Sequence, residues 1–310
     1  MKFWASAGII FCLVVMFAAV VKNEYVFFAG YTVLMFIVLA TAWNILGGYA
    51  GYVNFCTPAF FGLGAYAAAV LFKATEAPLL LQILAAAVMA GALGFGAGLL
   101  TLRLRGIFFA IATIALVVIM ETLFINWRYA GGATGLQLLR PAPLAPFESY
   151  IKMLFVLMAA MAIGAVAVAR YIETSWLGRG LRAIRDNEEA AESCGVPTLR
   201  LKLFACTVSG ALMGAAGAPM PMYLSFIEPA STFNLNYAIA ALASPMIGGT
   251  AHWIGPVIGA IVLGTLQQVV TVTISNEINV LVVGVLLVFF IVAAPDGIIG
   301  LFRKIRRPRS

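Results

Sequence analysis

The stretch LLLQILAAAVMAGALGFGAGLLT, residues 79–101, carries no charged side chain. The hydrocarbon core of a bilayer is about 30 Å thick, and an α-helix needs about 20 apolar residues to cross it. The stretch is therefore predicted to be a transmembrane helix. Similar apolar runs recur on both sides of it along the whole chain. The predicted spans are residues 4–21, 27–46, 58–72, 79–101, 106–127, 151–170, 202–224, 236–251, 255–274 and 279–299.

The composition excludes a water-soluble fold. Of 310 residues, 63% are hydrophobic and 10% are charged, and the mean hydropathy is +1.04. Soluble domains are about half apolar and a quarter charged. The sequence thus predicts an all-α fold, a polytopic transmembrane helical bundle of about ten membrane segments that forms one domain over residues 1–310.

The basic residues predict the orientation of the bundle. With ten alternating crossings, fourteen of the 19 lysines and arginines fall on one side and five on the other. Because basic loops stay in the cytoplasm, both termini are predicted to be cytoplasmic. The net charge of +7 is thereby explained without a nucleic-acid partner. The smaller group is Lys22, Lys73, Arg128, Arg140 and Lys152.

Residues 171–201 form the largest predicted cytoplasmic loop, and they include GRGLRAIRDNEEAAESCGVPTLRLK, residues 178–202. At helical spacing this sequence has an apolar and a charged side, so it predicts an amphipathic helix near residues 180–195. Gly195 and Pro197 are stop signals. The apolar side is Leu181, Ile184, Ala191 and Cys194, and the charged side is Arg182, Arg185, Asp186, Glu189 and Glu192. Such a helix could also lie on the bilayer or serve as a solvated connector.

The loop carries a motif that favours a more specific interpretation. Glu189-Ala190-Ala191, three residues and Gly195 resemble the EAA-x3-G loop of ABC importer permeases. The flanking sequence is similar to permeases of the branched-chain amino acid (Liv) importers. The length and the basic C-terminal tail resemble the M-type subunit more than the shorter H-type. The resemblance implies that a short helix docks on an ATPase subunit. The coupling residues it implies are Gly180, Arg182, Arg185, Glu189, Ala190, Ala191 and Gly195.

The resemblance extends over nearly the whole chain. Residues 44–69, 102–116, 131–136, 244–264 and 295–302 resemble further family blocks in the same order. Two positions depart from the family pattern, namely residues 52–57 and Ala130, and they leave the substrate open. The resemblance implies import of branched-chain or related hydrophobic amino acids through the bacterial inner membrane. Relatives that carry urea, short amides or aromatic acids remain an alternative.

The same resemblance implies the partners. They are a second, related permease forming a heterodimer, two ATP-binding subunits and a substrate-binding protein outside the membrane. No G-x-x-x-x-G-K-[ST] motif occurs in the sequence, so ATP and Mg²⁺ are expected on the partner subunits and no cofactor or metal on this chain. The four cysteines are far apart and are interpreted as packing residues.

Two other function classes fit the sequence less well. An ion-coupled secondary transporter would need ionisable side chains within the spans, and Glu121 is the one convincing example. Glu121 could equally reach the interface and pair with Arg128, seven residues along the helix. A membrane-embedded enzyme would need an acid, base, nucleophile or metal cluster, and none stands out in the sequence. The sole histidine, His252, is interpreted as a packed or loop residue.

Two segments contain helix breakers at the expected membrane depth, residues 47–66 and 244–264. Non-helical backbone within a membrane is tolerated when it lies in protein or lines a cavity, and such pairs mark the path of many transporters. We therefore expect both segments near the midplane, facing the path. The two segments also resemble each other faintly, as an internal repeat would, and the alternative to a repeat is that small residues simply let helices pack closely. The predicted path residues are Asn44, Tyr49, Asn54, Glu121 and Thr250.

Overall fold

The structure is a computed structural model that describes residues 2–140, 149–273, 276–293 and 297–300. Its described part is a bundle of α-helices with one short two-stranded ribbon. The long helices are α1 Lys2–Val20, α2 Glu24–Ala50, α3 Thr57–Thr75, α4 Leu79–Thr101, α5 Ile107–Asn126, α6 Tyr150–Thr174, α9 Thr198–Gly217, α13 Ile254–Thr273 and α14 Asn276–Ala293. The short ones are α7 Trp176–Asp186, α8 Glu188–Ser193, α10 Met220–Leu224, α11 Pro229–Thr232 and α12 Asn236–Gly248.

Eight helical segments of the described residues are long and apolar enough to cross a membrane. They confirm the all-α polytopic bundle, and α9 with α10 forms one of them, Thr198–Leu224. The predicted span at 236–251 corresponds to α12, which has 13 residues. At 1.5 Å per residue it is about 20 Å long, too short to cross alone. The tenth predicted span, 279–299, includes residues outside the described part, so the count of ten stays a prediction.

The core of the bundle is built around α2. In the most apolar windows of α2 and α3, 61% and 67% of the residues are buried, against 11% in α1 and 28% in α5. Helix α2 packs against α6, α9, α12 and α13. Helices α1 and α5 instead present large apolar side chains on their outer surfaces. A lipid solvent accepts such surfaces, and so does a second membrane subunit.

Small residues set the closest helix contacts. A Cβ atom at Gly64 of α3 would overlap the carbonyl oxygen of Gly214 in α9, and one at Gly259 of α13 would overlap that of Ser244 in α12. Only glycine lets backbones approach this closely. Glycines of both broken segments, 47–66 and 244–264, therefore allow close helix packing.

The connections gather at two ends of the bundle. One, here called the α7 end, contains residues 51–56, 102–106, 175–197 and 249–253. There residues 102–106 contact α8, α7 contacts the end of α2, and residues 249–253 contact α2 and the end of α6. The other, the ribbon end, contains residues 127–140 and 225–235, where β1 Leu136–Gln137 pairs antiparallel with β2 Phe226–Ile227. This grouping matches the predicted alternation of the loops. Which end is cytoplasmic, and hence the side of both termini, stays a prediction.

Several predicted boundaries are wrong. Helix α2 continues through Ala50, so residues 47–50 are helical, and the first break comprises residues 51–56. Gly51 ends α2 with φ +78, a left-handed conformation that glycine adopts without strain. The loop predicted at 171–201 is shorter, because α6 ends at Thr174 and α9 begins at Thr198. The second break comprises residues 249–253, between α12 and α13.

Candidate functional site

The segment between α6 and α9 consists of two helices, so the prediction of one helix near residues 180–195 is wrong. Asn187 separates α7 from α8 and has an extended backbone, with φ −162 and ψ 108. Its side-chain oxygen accepts a hydrogen bond from the backbone N–H of Ala190 at 3.0 Å. An asparagine that caps a helix in this way stabilises a new helix start, and the chain therefore turns at Asn187.

Both helices are amphipathic, as predicted. Leu181, Ile184 and Ala191 are buried against the bundle, whereas Ala190 is exposed. Cys194 was predicted on the apolar side and is exposed instead. The reason is that α8 ends at Ser193, so the helical spacing does not continue to Cys194.

The predicted coupling residues have partners within the chain. Arg182 donates to the carbonyl oxygen of Glu173 at 2.8 Å, and Arg185 donates to that of Gly48 at 2.9 Å. Glu189 forms an exposed ion pair with Arg105 at 2.9 Å. These contacts hold α7 on the ends of α6 and α2, and they connect α8 to the turn between α4 and α5.

The two predicted coupling glycines have different surroundings. A Cβ atom at Gly180 would lie 2.5 Å from the Leu201 side chain, so this glycine permits α7 to approach α9. Gly195 has φ +80 and no atom within 4 Å of an added Cβ. Gly195 thus serves the turn between α8 and α9 through its backbone conformation.

A buried polar cluster at this end was missed by the sequence reasoning. The ammonium group of Lys202 lies 2.6 Å from Glu188 Oε1, 3.0 Å from the Tyr52 hydroxyl and 3.1 Å from the Leu102 carbonyl oxygen. The Tyr52 hydroxyl donates to Glu188 Oε2 at 2.6 Å. Arg105 Nε adds a longer contact of 3.7 Å to the same carboxylate. All three donor hydrogens of the lysine thus have an acceptor.

The electrostatics of the cluster favour an ionised Glu188. Burial acts to raise the pKa of its carboxyl group, but hydrogen bonds from Lys202 and Tyr52 and the charges of Lys202 and Arg105 outweigh it. The pKa of Glu188 therefore lies below its ordinary value. Burial and the neighbouring carboxylate raise the pKa of Tyr52, so its hydroxyl keeps its proton. One signal in the sequence could have revealed the cluster: Lys202 lies at the edge of an apolar run, and a lysine in such a position needs a polar partner.

Residues 51–56 are held by side chains of two helices. The indole N–H of Trp43 in α2 donates to the Asn54 carbonyl oxygen at 2.7 Å. The backbone N–H of Phe55 donates to the Thr113 hydroxyl in α5 at 3.2 Å. The Asn54 side chain accepts from the Cys56 N–H at 2.8 Å. Asn54, predicted to face the path, is thus buried and stabilises the break itself.

Three other predicted path residues lie near the same end of α2. Asn44 donates to the Thr250 carbonyl oxygen at 3.1 Å, which connects α2 with the second break. The Tyr49 hydroxyl lies 3.4 Å from Glu173 Oε2. Asn44 and Tyr49 are buried, at 1% and 2% exposure. The structure brings these residues together, at the α7 end.

Glu121 lies apart from that group, on α5 towards the ribbon end, where it is half-buried. The ion pairs of the described residues do not include one between Glu121 and Arg128. His252 lies in the second break, as its interpretation as a loop residue requires. Its Nδ1 is 3.9 Å from Glu173 Oε2, a carboxylate neighbour that the sequence did not reveal.

A cavity of about 420 Å³ opens beside the polar cluster. Its walls come from the first break, the turn between α4 and α5, and α7. Both charged and apolar side chains line it, among them Arg105, Phe109 and Ile184. The described residues contain no group of three or more histidine, cysteine or acidic side chains that could bind a metal ion.

Comparison with known proteins agrees with this architecture. The family described as branched-chain amino acid transport system / permease component matches residues 25–291. The chain belongs to this family. It is 26% identical over 296 residues to the high-affinity branched-chain amino acid transport system permease protein LivM of Escherichia coli, covering 87% of this chain and 69% of that protein. LivM of Salmonella typhimurium is 25% identical over the same shares.

Other relatives match over smaller parts of the chain. A probable branched-chain amino acid transport permease protein LivH of Methanocaldococcus jannaschii is 29% identical over 138 residues, covering 42% of this chain and 43% of that protein. No solved structure matches.

As a permease of the ABC transporters, the chain is a non-catalytic, multi-pass membrane subunit, and separate subunits hydrolyse ATP. The Liv-type, M-like resemblance is confirmed.

Proposed function

We propose that this chain is a permease subunit of an ATP-driven importer that moves branched-chain or related hydrophobic amino acids through the bacterial inner membrane. The observation that carries the proposal is the pair α7 and α8. These two helices lie at one end of the bundle. One side of the pair is buried against the bundle, and the other side is exposed, as a docking surface in a chain of this family requires. ATP and Mg²⁺ would act on partner subunits, and no cofactor is expected on this chain.

The docking surface follows from the exposure of α8. The small Ala190 is exposed, with the Glu189 carboxylate beside it at 79% side-chain exposure. A small residue at the centre lets a partner subunit approach closely, and the charged rim gives orientation. Ala191 is buried within the chain, so its role is to seat α8 on the bundle. The polar side chains of Arg182, Arg185 and Glu189 would exchange or share their internal partners on docking.

The outer surfaces of the bundle support the proposal of further partners. Helix α5 exposes Ile111, Val118 and Ile119, and the same helix carries the polar side chains of Thr122 and Asn126 at its ribbon end. A second, related permease would cover such a face and form a heterodimer. A substrate-binding protein outside the membrane would deliver the amino acid at the ribbon end, with residues 171–201 on the cytoplasmic side.

The substrate class rests on the family and on the relatives named for branched-chain amino acid transport. An amino acid with an apolar side chain needs polar partners for its ammonium and carboxylate groups and apolar walls elsewhere.

Purification with the partner subunits tests the proposal. The chain is expressed with its neighbouring transporter genes, isolated in mild detergent and reconstituted in liposomes with the binding protein. We expect co-purification of an ATPase pair and ATP-dependent uptake of leucine. Ala190→Trp should abolish ATPase co-purification, because a bulky side chain there prevents close approach. The matched control is Ala74→Trp, which alters an exposed alanine near the ribbon end.

Two results would contradict the proposal. The first is uptake that needs an ion gradient and no ATPase, which would indicate a secondary transporter. The second is a normal yield of ATPase with Ala190→Trp, which would make α8 an ordinary connector.

A further inference from the structure

Three separate parts of the chain meet in the buried cluster at the α7 end. Glu188 belongs to α8, Tyr52 to the first break and Lys202 to α9. Tyr52 and Lys202 are 150 positions apart in the sequence, yet their polar atoms are 3.0 Å apart. The side chain of Lys202 is 4% exposed and that of Glu188 is 14% exposed. The contact is therefore a largely desolvated ion pair with a tyrosine hydroxyl as its third member.

The geometry makes Tyr52 the link between α8 and the first break. Its hydroxyl donates to one carboxylate oxygen of Glu188, and Lys202 donates to the other. The three groups form a closed triangle in which each contact restricts the other two. A displacement of α8 must move Tyr52 or break a charge-assisted hydrogen bond, which is among the stronger kinds in proteins.

The first break is tied to two long helices. Residue Asn54 is tied to α2 through Trp43, and Phe55 is tied to α5 through Thr113. The cavity of about 420 Å³ beside Tyr52 leaves one side of the break without packed neighbours. The segment is thus firmly connected at its contacts and has space to move. A segment with these two properties can transmit a movement between the elements that it contacts.

We propose that Glu188, Lys202 and Tyr52 are positioning residues that transmit movement of α8 to residues 51–56, and through them to α2 and α5. The inference rests on the proposed function, because an ATPase docked on α8 supplies the movement. It assigns the triangle the task of linking the ATPase cycle to the opening of the α7 end. None of the three residues contacts substrate in this account.

The competing explanation is a permanent structural contact. A buried ion pair can often be replaced by apolar side chains of similar size without loss of stability, whereas removal of one partner is destabilising. A double variant, Glu188→Leu with Lys202→Met, should therefore keep the fold while removing the hydrogen bonds to Tyr52. Tyr52→Phe removes only the hydroxyl group. Tyr31→Phe is the matched control, since the buried Tyr31 hydroxyl has no hydrogen-bond partner among the described residues.

The experiment measures three quantities on the purified transporter: the amount of bound ATPase, the rate of ATP hydrolysis, and leucine uptake per ATP hydrolysed in liposomes. We expect Tyr52→Phe and the double variant to bind the ATPase and hydrolyse ATP at wild-type levels. Their uptake per ATP should fall at least about fivefold, the lower range of typical coupling between sites. Tyr31→Phe should match the wild type in all three.

The outcomes separate the inference from the proposed function. Wild-type uptake per ATP in Tyr52→Phe or in a folded double variant would overturn the inference and leave the proposed function intact. Loss of ATPase binding in Tyr52→Phe would also overturn it, because the hydroxyl would then shape the docking surface. A wild-type chain with no ATPase and no ATP-driven uptake would overturn the proposed function, and the inference with it.

Discussion

The two breaks at the α7 end look alike in sequence and differ in structure. Each has glycines at its start and a proline within a few residues of its end. Residues 51–56 are held by hydrogen bonds with Trp43, Thr113 and the buried cluster, and a cavity lies alongside. Residues 249–253 connect α12 and α13, whose backbones touch through glycines. The same pattern of glycine and proline can therefore produce either a hydrogen-bonded connection beside a cavity or a tight contact between helices.

The largest expected effect comes from filling the packed contact. Gly259→Ala places a Cβ atom on the carbonyl oxygen of Ser244 and should lower the free energy of unfolding by about 3 kcal/mol, near the upper range for overpacking. Thermal unfolding in detergent measures it. The matched control is Gly96→Ala, where no atom lies within 4 Å of the added Cβ. Equal melting temperatures for the two variants would mean that α12 and α13 are not in backbone contact.

The next effect comes from breaking the charge cluster beside the first break. Lys202→Met leaves the largely buried Glu188 carboxylate without its 2.6 Å partner. We expect a loss of about 2 kcal/mol in unfolding free energy, less than for an isolated buried pair because Arg105 remains nearby. The Glu188→Leu change on the same background should restore most of it. A double variant less stable than Lys202→Met would refute the pairing.

The pH dependence of stability tests the same cluster. Folding lowers the pKa of the Glu188 carboxyl group from its ordinary value of 4.5. The ionised carboxylate therefore stabilises the folded chain above that pH, and this stabilisation is lost as the pH falls through the folded pKa. The wild type should therefore lose stability towards acid more steeply than Glu188→Gln. Melting temperatures at a series of pH values measure this difference. Parallel curves would show that Glu188 is not held ionised.

The smallest expected effect separates side-chain from backbone contacts in the two breaks. Asn54→Ala removes the acceptor of the Cys56 N–H and should cost about 1 kcal/mol. Thr250→Ala should change stability by less than about 0.5 kcal/mol, because Asn44 donates to the Thr250 backbone oxygen, which the variant keeps. The reverse order of effects, measured by thermal unfolding, would contradict the assigned hydrogen bonds.

The helices were predictable from local pattern, and the site only in part. Hydropathy located the long helices, since a membrane span is a property of about 20 consecutive residues. The burial of Leu181, Ile184 and Ala191 also followed from helical spacing. The triangle at Glu188 could not be predicted, because Tyr52 is 136 positions away from it. The turn at Asn187 was missed, because a capping asparagine is compatible with one helix or two.

The central claim is that α7 and α8 form the docking surface for the ATPase, and native Cys194 offers a direct test. Cys194 is exposed beside α8, whereas Cys56 and Cys206 are buried and Cys12 lies on the apolar face of α1. A charged maleimide should therefore modify Cys194 in the isolated chain. With the ATP-binding subunits present, we predict strong protection of Cys194 that Ala190→Trp abolishes. Modification of Cys194 at the same rate in the chain and in the complex would contradict the account.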